Sequence, residues 1–369
     1  MDISSKDQTK KIMSKEEEED ILSIMQLPIS LALNMVLKVT IELGIFDLLS
    51  PNEQLSSSQI ASKIPTKNPK APLTIEKILS FLASQSFLSF TFSKEDNENG
   101  LQKSSLLYSL TPLSRKLVSS DQDGMSLAPT FLFLNDQVIV NSWFHLKDAI
   151  LEEGEIIPFN KAHGMGVFEY HGKDSRYACV TNSSTQNMNK RSITRILESY
   201  NGFHDVKKLV DVGGALGLTM TSIVSKYPHI KGVNFDLPHV IKEAPAYPGV
   251  EHVSGDMFQS VPQGDMIFIK HVLHDWDDDD CIKILKNCWK SLPNSGKVVL
   301  IEHIKPENPQ TDDFFSKNVL FLDMFMMIVT HGGKERTKKE FEILAKKSGF
   351  SSFKVINSAF LIWIMELYK

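Results

Sequence analysis

"LVDVGGALG", residues 209–217, joins a short apolar run to a cluster of three glycines, and its reading decides the fold. Leu209 to Val212 read as a short buried strand. Gly213, Gly214 and Gly217 let the backbone come close to a bound group. "LTMTSIVSKY" (218–227) follows at helical spacing, so strand, glycine turn and helix come in succession. Asp236 closes the next strand, "KGVNFDL", 23 residues after Gly213. A carboxylate there accepts hydrogen bonds from ribose hydroxyls. Asp256 and Met257, in "SGDMF", end a third strand, where a carboxylate and a thioether suit an adenine. Three acids at successive strand ends favour a nucleotide-like ligand over three unrelated turn residues. The dinucleotide pattern GxGxxG is not met, because Ala215 takes its second glycine. Asp211, inside the first strand end, suits a cationic ligand better than a pyrophosphate.

From Gly202 onward strands and helices alternate. "DMIFIKHVL" (265–273) and "GKVVLIEHI" (296–304) read as strands, and "DDDCIKILKNCWKSL" (278–292) and "TKKEFEILAKKSGF" (337–350) as helices. This order predicts a parallel, doubly wound α/β sheet. The last two strands, "SFKVINSAF" and "LIWIMELY", are joined too closely to be parallel.

With 369 residues, more than one domain is expected. Residues 1–20 read as a solvated, disordered lead-in. In 21–125 the order helix, helix, helix, then a two-stranded hairpin is the plan of a winged helix; 126–200 is helical, and 201–369 is the doubly wound domain. A winged helix raises the question of DNA. Residues 1–120 hold 13 Lys and Arg against 14 Asp and Glu, so no basic face is evident and a packing or dimerisation module is expected instead. The net charge of -5 likewise argues against nucleic acid and anionic membranes. The N-terminus has no signal core, and Lys38, Glu42 and Asp47 interrupt the apolar stretch 21–49, so no bilayer span is expected. Three cysteines without a CxxC exclude a disulfide framework and point to a reducing cytoplasm; Cys281 and Cys288, seven apart, read as buried thiols.

"IKHVLHDWDDDDC" (269–281) carries the acid–base chemistry. His274 sits just past a strand end, where doubly wound folds place their sites. Near neutral pH a histidine can take a proton from an acceptor hydroxyl. Asp277 to Asp280 sit at a helix N-terminus, where negative charge is favoured. A His271/His274 metal pair is rejected, because residues i and i+3 of a strand face opposite ways. No metal is expected.

Together, "LVDVGGALG", "GVNFDLPHVI", "GVEHVSGDMF", "HDW" and "GGKERT" resemble the plant caffeic acid O-methyltransferase-like group of S-adenosylmethionine-dependent methyltransferases, in order and spacing from about Gln26 to Lys369. The resemblance implies an N-terminal winged-helix-like domain forming an intertwined homodimer and a C-terminal Rossmann-like domain binding S-adenosylmethionine, with S-adenosylhomocysteine as product. Gly213, Asp236, Leu237, Asp256, Met257 and Lys270 match the family's cofactor-binding positions. His274 matches its catalytic base, and Glu302 and Glu335 the flanking carboxylates. The substrate would be a phenol of plant secondary metabolism. Asn135, Phe168, Met188, Phe325, Met326 and Thr330 outline a divergent pocket. Ala215 and Leu216 replace a Gly and a Thr of the family's turn, and His271 a frequent tryptophan. Met188 and Thr330, where the phenylpropanoid enzymes have a histidine and often an asparagine, point away from a caffeate-type substrate toward a larger, more apolar phenol such as an alkaloid, flavonoid or coumarin. The altered glycine turn and pocket keep a non-catalytic or heterodimer subunit as the second reading.

Overall fold

A computed structural model describes residues 14–50, 53–96, 102–119, 125–310, 312–359 and 361–369. Contacts divide the chain into two compact units, Met1–Asn135 and Asp136–Lys369.

The first unit begins with a helix, Lys15–Glu42. Ser14 and Glu17 form a reciprocal capping box, and Glu16, Glu17 and Glu18 sit where the helix dipole favours negative charge. Residues 15–20 are therefore helical and not part of a disordered lead-in; residues 1–13 lie outside the described residues. The helix continues through Pro28. By length and composition it is long and apolar enough to cross a membrane. Ile24, Met25, Leu27 and Leu31 on it are exposed. Helix Ser57–Lys63 starts at a second capping box, Ser56 with Gln59. Helix Ala71–Ser84 leads into an antiparallel hairpin of β1 (Leu88–Asp96) and β2 (Gln102–Leu110). Ile45, Phe46, Ile60, Leu79 and Leu82 form the core of this unit.

The second unit opens with short helices. Within the stretch 126–200, expected to be helical, Gln137–Trp143 and Leu146–Leu151 are two separate short helices. They part at Phe144 and His145, whose Nδ1 lies 2.7 Å from Asp148 at the start of the second. A long helix, Ser175–Ser199, then precedes the sheet. Its strands are β3 (Lys208–Val212), β4 (Lys231–Asp236), β5 (Val250–Ser254), β6 (Met266–Lys270) and β7 (Lys297–Glu302). Two small strands, β8 (Ile304–Lys305) and β9 (Arg336–Thr337), pair beside it. β10 (Ser352–Ala359) and β11 (Ile362–Tyr368) close the chain.

The seven-stranded sheet has the order β10-β11-β7-β6-β3-β4-β5. β3 to β7 are mutually parallel, and β10 and β11 antiparallel, as expected from their short connection. The sheet is buried on both sides, and residues alternate between the two cores with period two. Val210, Val212, Ile267, Ile269, Val298 and Leu300 face Cys281, Leu285 and Cys288 of helix Asp278–Ser291. Leu209, Phe268, Val299 and Ile301 face Ile196, Phe203 and Ile223 on the other side. Burial pushes both thiols, Cys281 and Cys288, up to about 12, so they act as core residues. β3 lies between β4 and β6, so the strand order reverses there, and the crevice at the carboxyl ends of these strands is where such sheets bind ligands.

Candidate active site

The carboxyl edge of β3 to β7 gathers every acid that the strand ends predict. After β3 the chain turns through Gly213 (φ +71°) and Ala215 (φ +50°). Ala215 is a non-glycine residue in the left-handed region, at a cost of roughly 1–2 kcal/mol. Gly214 has no room for a side chain: a Cβ there would lie 2.1 Å from Asn234 Oδ1 and 2.8 Å from Asp211 Oδ2. Both oxygens are buried without a hydrogen-bond partner. Burial raises the Asp211 carboxyl to about 7 against the attraction of Lys270, so an unsatisfied acceptor waits beneath the turn. Asp236, at the end of β4, accepts from the backbone N–H of Ala215 (2.8 Å) and of Leu237 (2.7 Å) and ties the second strand to the turn. Asp256 accepts from Phe258 N at 2.8 Å, just past β5. Met257 beside it packs against the core. Lys270 ends β6, and its ammonium donates to Asn189 Oδ1 from helix Ser175–Ser199.

β6 stops at Lys270, three residues short of the expected strand. His271 has φ +52°, and residues Leu273–Asp275 form one turn of 3₁₀ helix. The i, i+3 argument against pairing His271 with His274 therefore fails: the two rings lie 5.5 Å apart, centroid to centroid. Glu302, fully buried at the end of β7, shapes this departure from the strand. Its Oε1 accepts from Val272 N (3.0 Å) and Leu273 N (2.9 Å), while burial raises its carboxyl. Val272 in turn packs on the glycine loop; a Cβ on Gly213 would lie 2.8 Å from its Cγ2.

Glu335 supplies the hydrogen bond to the histidine, 3.0 Å from His274 Nδ1 to Oε1. It comes from the segment between helix Phe314–Val329 and β9, and its backbone N–H donates to Asp323 at 2.9 Å. Burial works against charge on both partners. For His274 the carboxylates of Asp275, Glu335 and Glu302 outweigh it and lift the imidazole to about 10. For Glu335 the imidazolium outweighs it and draws the carboxyl down to about 2. His271 moves the opposite way, well below its ordinary value, through burial and the neighbouring Lys270 cation.

Two further residues went unread in the sequence. Arg336 is fully buried, with Nη1 donating to Leu273 O (2.7 Å), Nη2 to Trp276 O (2.7 Å) and Nε to Asp278 (2.9 Å). It clamps the carbonyls on both sides of His274. Its position in "GGKERT", directly after Glu335, was the available signal. His303 follows Glu302 in "LIEHI"; its Nδ1 stands 3.4 Å from Glu335 Oε1. Asp277 caps helix Asp278–Ser291 by accepting from Asp280 N, so the aspartate run is a helix start, as its charge predicts.

The expected pocket residues are only partly assembled. Phe325, Met326 and Thr330 are buried along and just after helix Phe314–Val329. The Thr330 hydroxyl donates back to Met326 O at 2.8 Å. Phe168 is 65% exposed on its short helix, and Met188 is half-buried. Asn135 ends the first unit, its amide donating to Phe131 O. A cavity of about 570 Å³ lies in the second unit, lined by Ile156, Ile157, Met327, Thr330 and Gly333. A Cβ on Gly333 would lie 2.6 Å from the carbonyl oxygen of His274, so one wall of the cavity backs onto the histidine turn.

The carboxyl edge thus combines a strand-end crevice with a histidine hydrogen-bonded to a carboxylate, and the chain as a whole is similar to known proteins. The family model of the O-methyltransferase domain matches residues 143–351, and that of the O-methyltransferase dimerisation domain residues 25–120. Myricetin 3-O-methyltransferase 3 of Solanum habrochaites is 56% identical, covering 97% of this chain and 98% of its own length. Caffeic acid 3-O-methyltransferase of Catharanthus roseus is 49% identical over 99% of each chain. The solved structure of human N-acetylserotonin methyltransferase in complex with SAM has the same fold, with a TM-score of 0.79, 20% identity and coverage of 97% of this chain and 99% of that one.

Proposed function

This chain belongs to the O-methyltransferase family, and from that premise we propose that it methylates a phenolic hydroxyl of a myricetin-like polyphenol, using S-adenosylmethionine and His274 as the base. The observation that carries the reading is the His274–Glu335 pair held at the carboxyl edge beside the glycine turn.

The residues at the edge fit the cofactor. The backbone of Gly213 and Gly214 allows close approach, and the unpartnered Asp211 oxygen suits a cationic group. Asp236 and Leu237 stand where a ribose is held, and Asp256 and Met257 where an adenine is held. Lys270 offers a cation toward a carboxylate. When bound, the cofactor supplies a methyl carbon on a good leaving group, so the chain's own task is the acceptor.

A phenol has a pKa of about 10 and is mostly protonated at neutral pH. The neighbouring carboxylates lift His274 to about 10, which makes it a strong proton acceptor in its unprotonated form but leaves it largely imidazolium at neutral pH, so turnover should rise with pH. Glu335 holds Nδ1, which leaves Nε2 for the phenol, and stabilises the imidazolium that forms. Glu302 and Arg336 fix the backbone of the turn, so the imidazole does not have to be ordered at the moment of reaction. Phe168, Met188, Phe325, Met326 and Thr330, all of the second unit, remain the proposed pocket lining. A cavity of about 570 Å³ is in the range that holds such a phenol. The relative named for myricetin is nearer in sequence than the one named for caffeic acid, 56% against 49%, which supports the larger substrate.

The proposed assembly is a homodimer, in which a partner protomer covers Ile24, Met25, Leu27 and Leu31 in place of a membrane. Incubation with S-adenosylmethionine and a panel of plant phenols, read by mass, tests the activity. A gain of one methyl on a polyphenol is expected. Cofactor binding without transfer to any phenol would favour the regulatory-subunit reading.

A further inference from the structure

Three histidines meet at the histidine turn: His271, His274 and His303, with one ring nitrogen of each within 4.8 Å of the others. Their ring centroids are 5.5, 5.0 and 6.5 Å apart in the pairs 271–274, 271–303 and 274–303. They arrive there by three different routes. His271 leaves β6 through its left-handed backbone, His274 sits in the 3₁₀ turn, and His303 follows the last residue of β7.

Behind the rings stand two fully buried carboxylates. Nδ1 of His274 is 3.0 Å and Nδ1 of His303 3.4 Å from Glu335 Oε1, and Nδ1 of His271 is 3.9 Å from Glu302 Oε2. Glu302 Oε2 and Glu335 Oε2 are buried with no hydrogen-bond partner. Histidines that hold a metal present one nitrogen to the ion and turn the other toward a carboxylate, which fixes the ring and raises its basicity. Here each Nδ1 faces a carboxylate; Asp275 Oδ1 stands 3.7 Å from His274 Nε2, beyond hydrogen-bond reach, so Nε2 can still turn to a ligand.

We propose that His271, His274 and His303 form a binding site for a borderline-soft divalent cation, Zn²⁺ above all, which shuts off methyl transfer by occupying the histidine that takes the phenol's proton. Three imidazoles with an open fourth position are an ordinary zinc donor set. With Zn–N bonds of 2.0–2.1 Å, tetrahedral ligand nitrogens are about 3.4 Å apart. Nitrogens within 4.8 Å of one another therefore reach that spacing by approaching by about 1.4 Å at most, within the range of side-chain rotation. The cation is an inhibitor and not a cofactor, since a phenol meeting His274 needs that nitrogen free. Binding stands on the geometry alone; its inhibitory consequence rests on the proposed role of His274, and the two are read in separate arms.

In the binding arm, metal-free full-length protein competes with a chromophoric zinc indicator at pH 7.5. One Zn²⁺ per chain is expected with a dissociation constant at or below the micromolar range. His271→Gln and His303→Gln should each weaken it by more than about 30-fold, because even outer-sphere partners of such sites are worth 10–100-fold. Circular dichroism verifies that each variant is folded. His331→Gln is the control: His331 pairs with Glu155 on the surface, 68% exposed, and its loss should leave the affinity unchanged. Co²⁺ in place of Zn²⁺ should give the visible absorption of a low-coordinate nitrogen site. In the activity arm, Zn²⁺ should inhibit competitively with the phenol and a chelator should restore turnover. Binding only at millimolar Zn²⁺, or affinity unchanged in both folded glutamine variants, overturns the site. Stoichiometric binding without inhibition keeps the site and overturns its regulatory consequence.

Discussion

Arg336→Met should destabilise the second unit by about 3–5 kcal/mol, the range for breaking a buried charge network by removing one partner. The guanidinium is fully buried and donates at 2.7 Å to each of two carbonyls, those of Leu273 and Trp276. A hydrogen bond from a charged donor is worth roughly 1.5–3 kcal/mol net, so the two together account for most of that figure. The third bond, to Asp278, adds little, because that carboxylate is 47% exposed. Methionine fills the space without the donors. Arg336→Lys keeps the charge but cannot span both carbonyls with one ammonium, and should cost about half as much. All four tryptophans, Trp143, Trp276, Trp289 and Trp363, lie in the second unit, so tryptophan fluorescence in urea reports that unit. Turnover should fall in both variants before the unfolding transition, because the carbonyls flanking His274 are released. An Arg336→Met midpoint shift equivalent to less than about 1 kcal/mol would refute the clamp.

Three expectations accompany it. Glu335→Gln removes a carboxylate that raises His274, so the acidic limb of the pH–kcat/KM profile should move to lower pH while peak activity drops; an unmoved limb would separate Glu335 from the titration. The sign follows from the base needing its unprotonated form. The same pair sets a stability dependence. The stabilisation from the raised His274 is complete below about pH 6.5 and is lost as pH rises through about 10, whereas that from Glu335 is present above its unfolded value and lost as pH falls toward about 2. Chemical denaturation across pH should show a plateau between, and a monotonic trend would contradict the pairing. Gly214→Ala forces a Cβ against Asn234 and Asp211 and should cost about 1–3 kcal/mol and most of the S-adenosylmethionine affinity; calorimetry showing wild-type binding would mean the turn does not approach the cofactor.

The doubly wound sheet was legible because its signals are local: apolar runs, glycines at a strand end, acids closing successive strands. Asp236, Asp256, Lys270, Glu302 and His274 all fall on the carboxyl edge for that reason. The histidine turn was not legible. "DMIFIKHVL" is apolar throughout and reads as one strand, and nothing in its composition announces a left-handed His271. That conformation depends on Glu302, 31 positions later, accepting from the next two backbone amides. Arg336 was missed because a buried arginine satisfied mainly by backbone carbonyls has no sequence partner to betray it. The helix start was missed because "SKEEEED" looks like a solvated charge run, yet it supplies a capping box and dipole charge.

The most direct test is His274→Gln, assayed for transfer of a labelled methyl group to myricetin with S-adenosylmethionine binding measured alongside. A general base contributes about 10²–10⁴-fold, so turnover should fall by that factor with cofactor affinity unchanged. Turnover within tenfold of the unmodified protein would contradict the account.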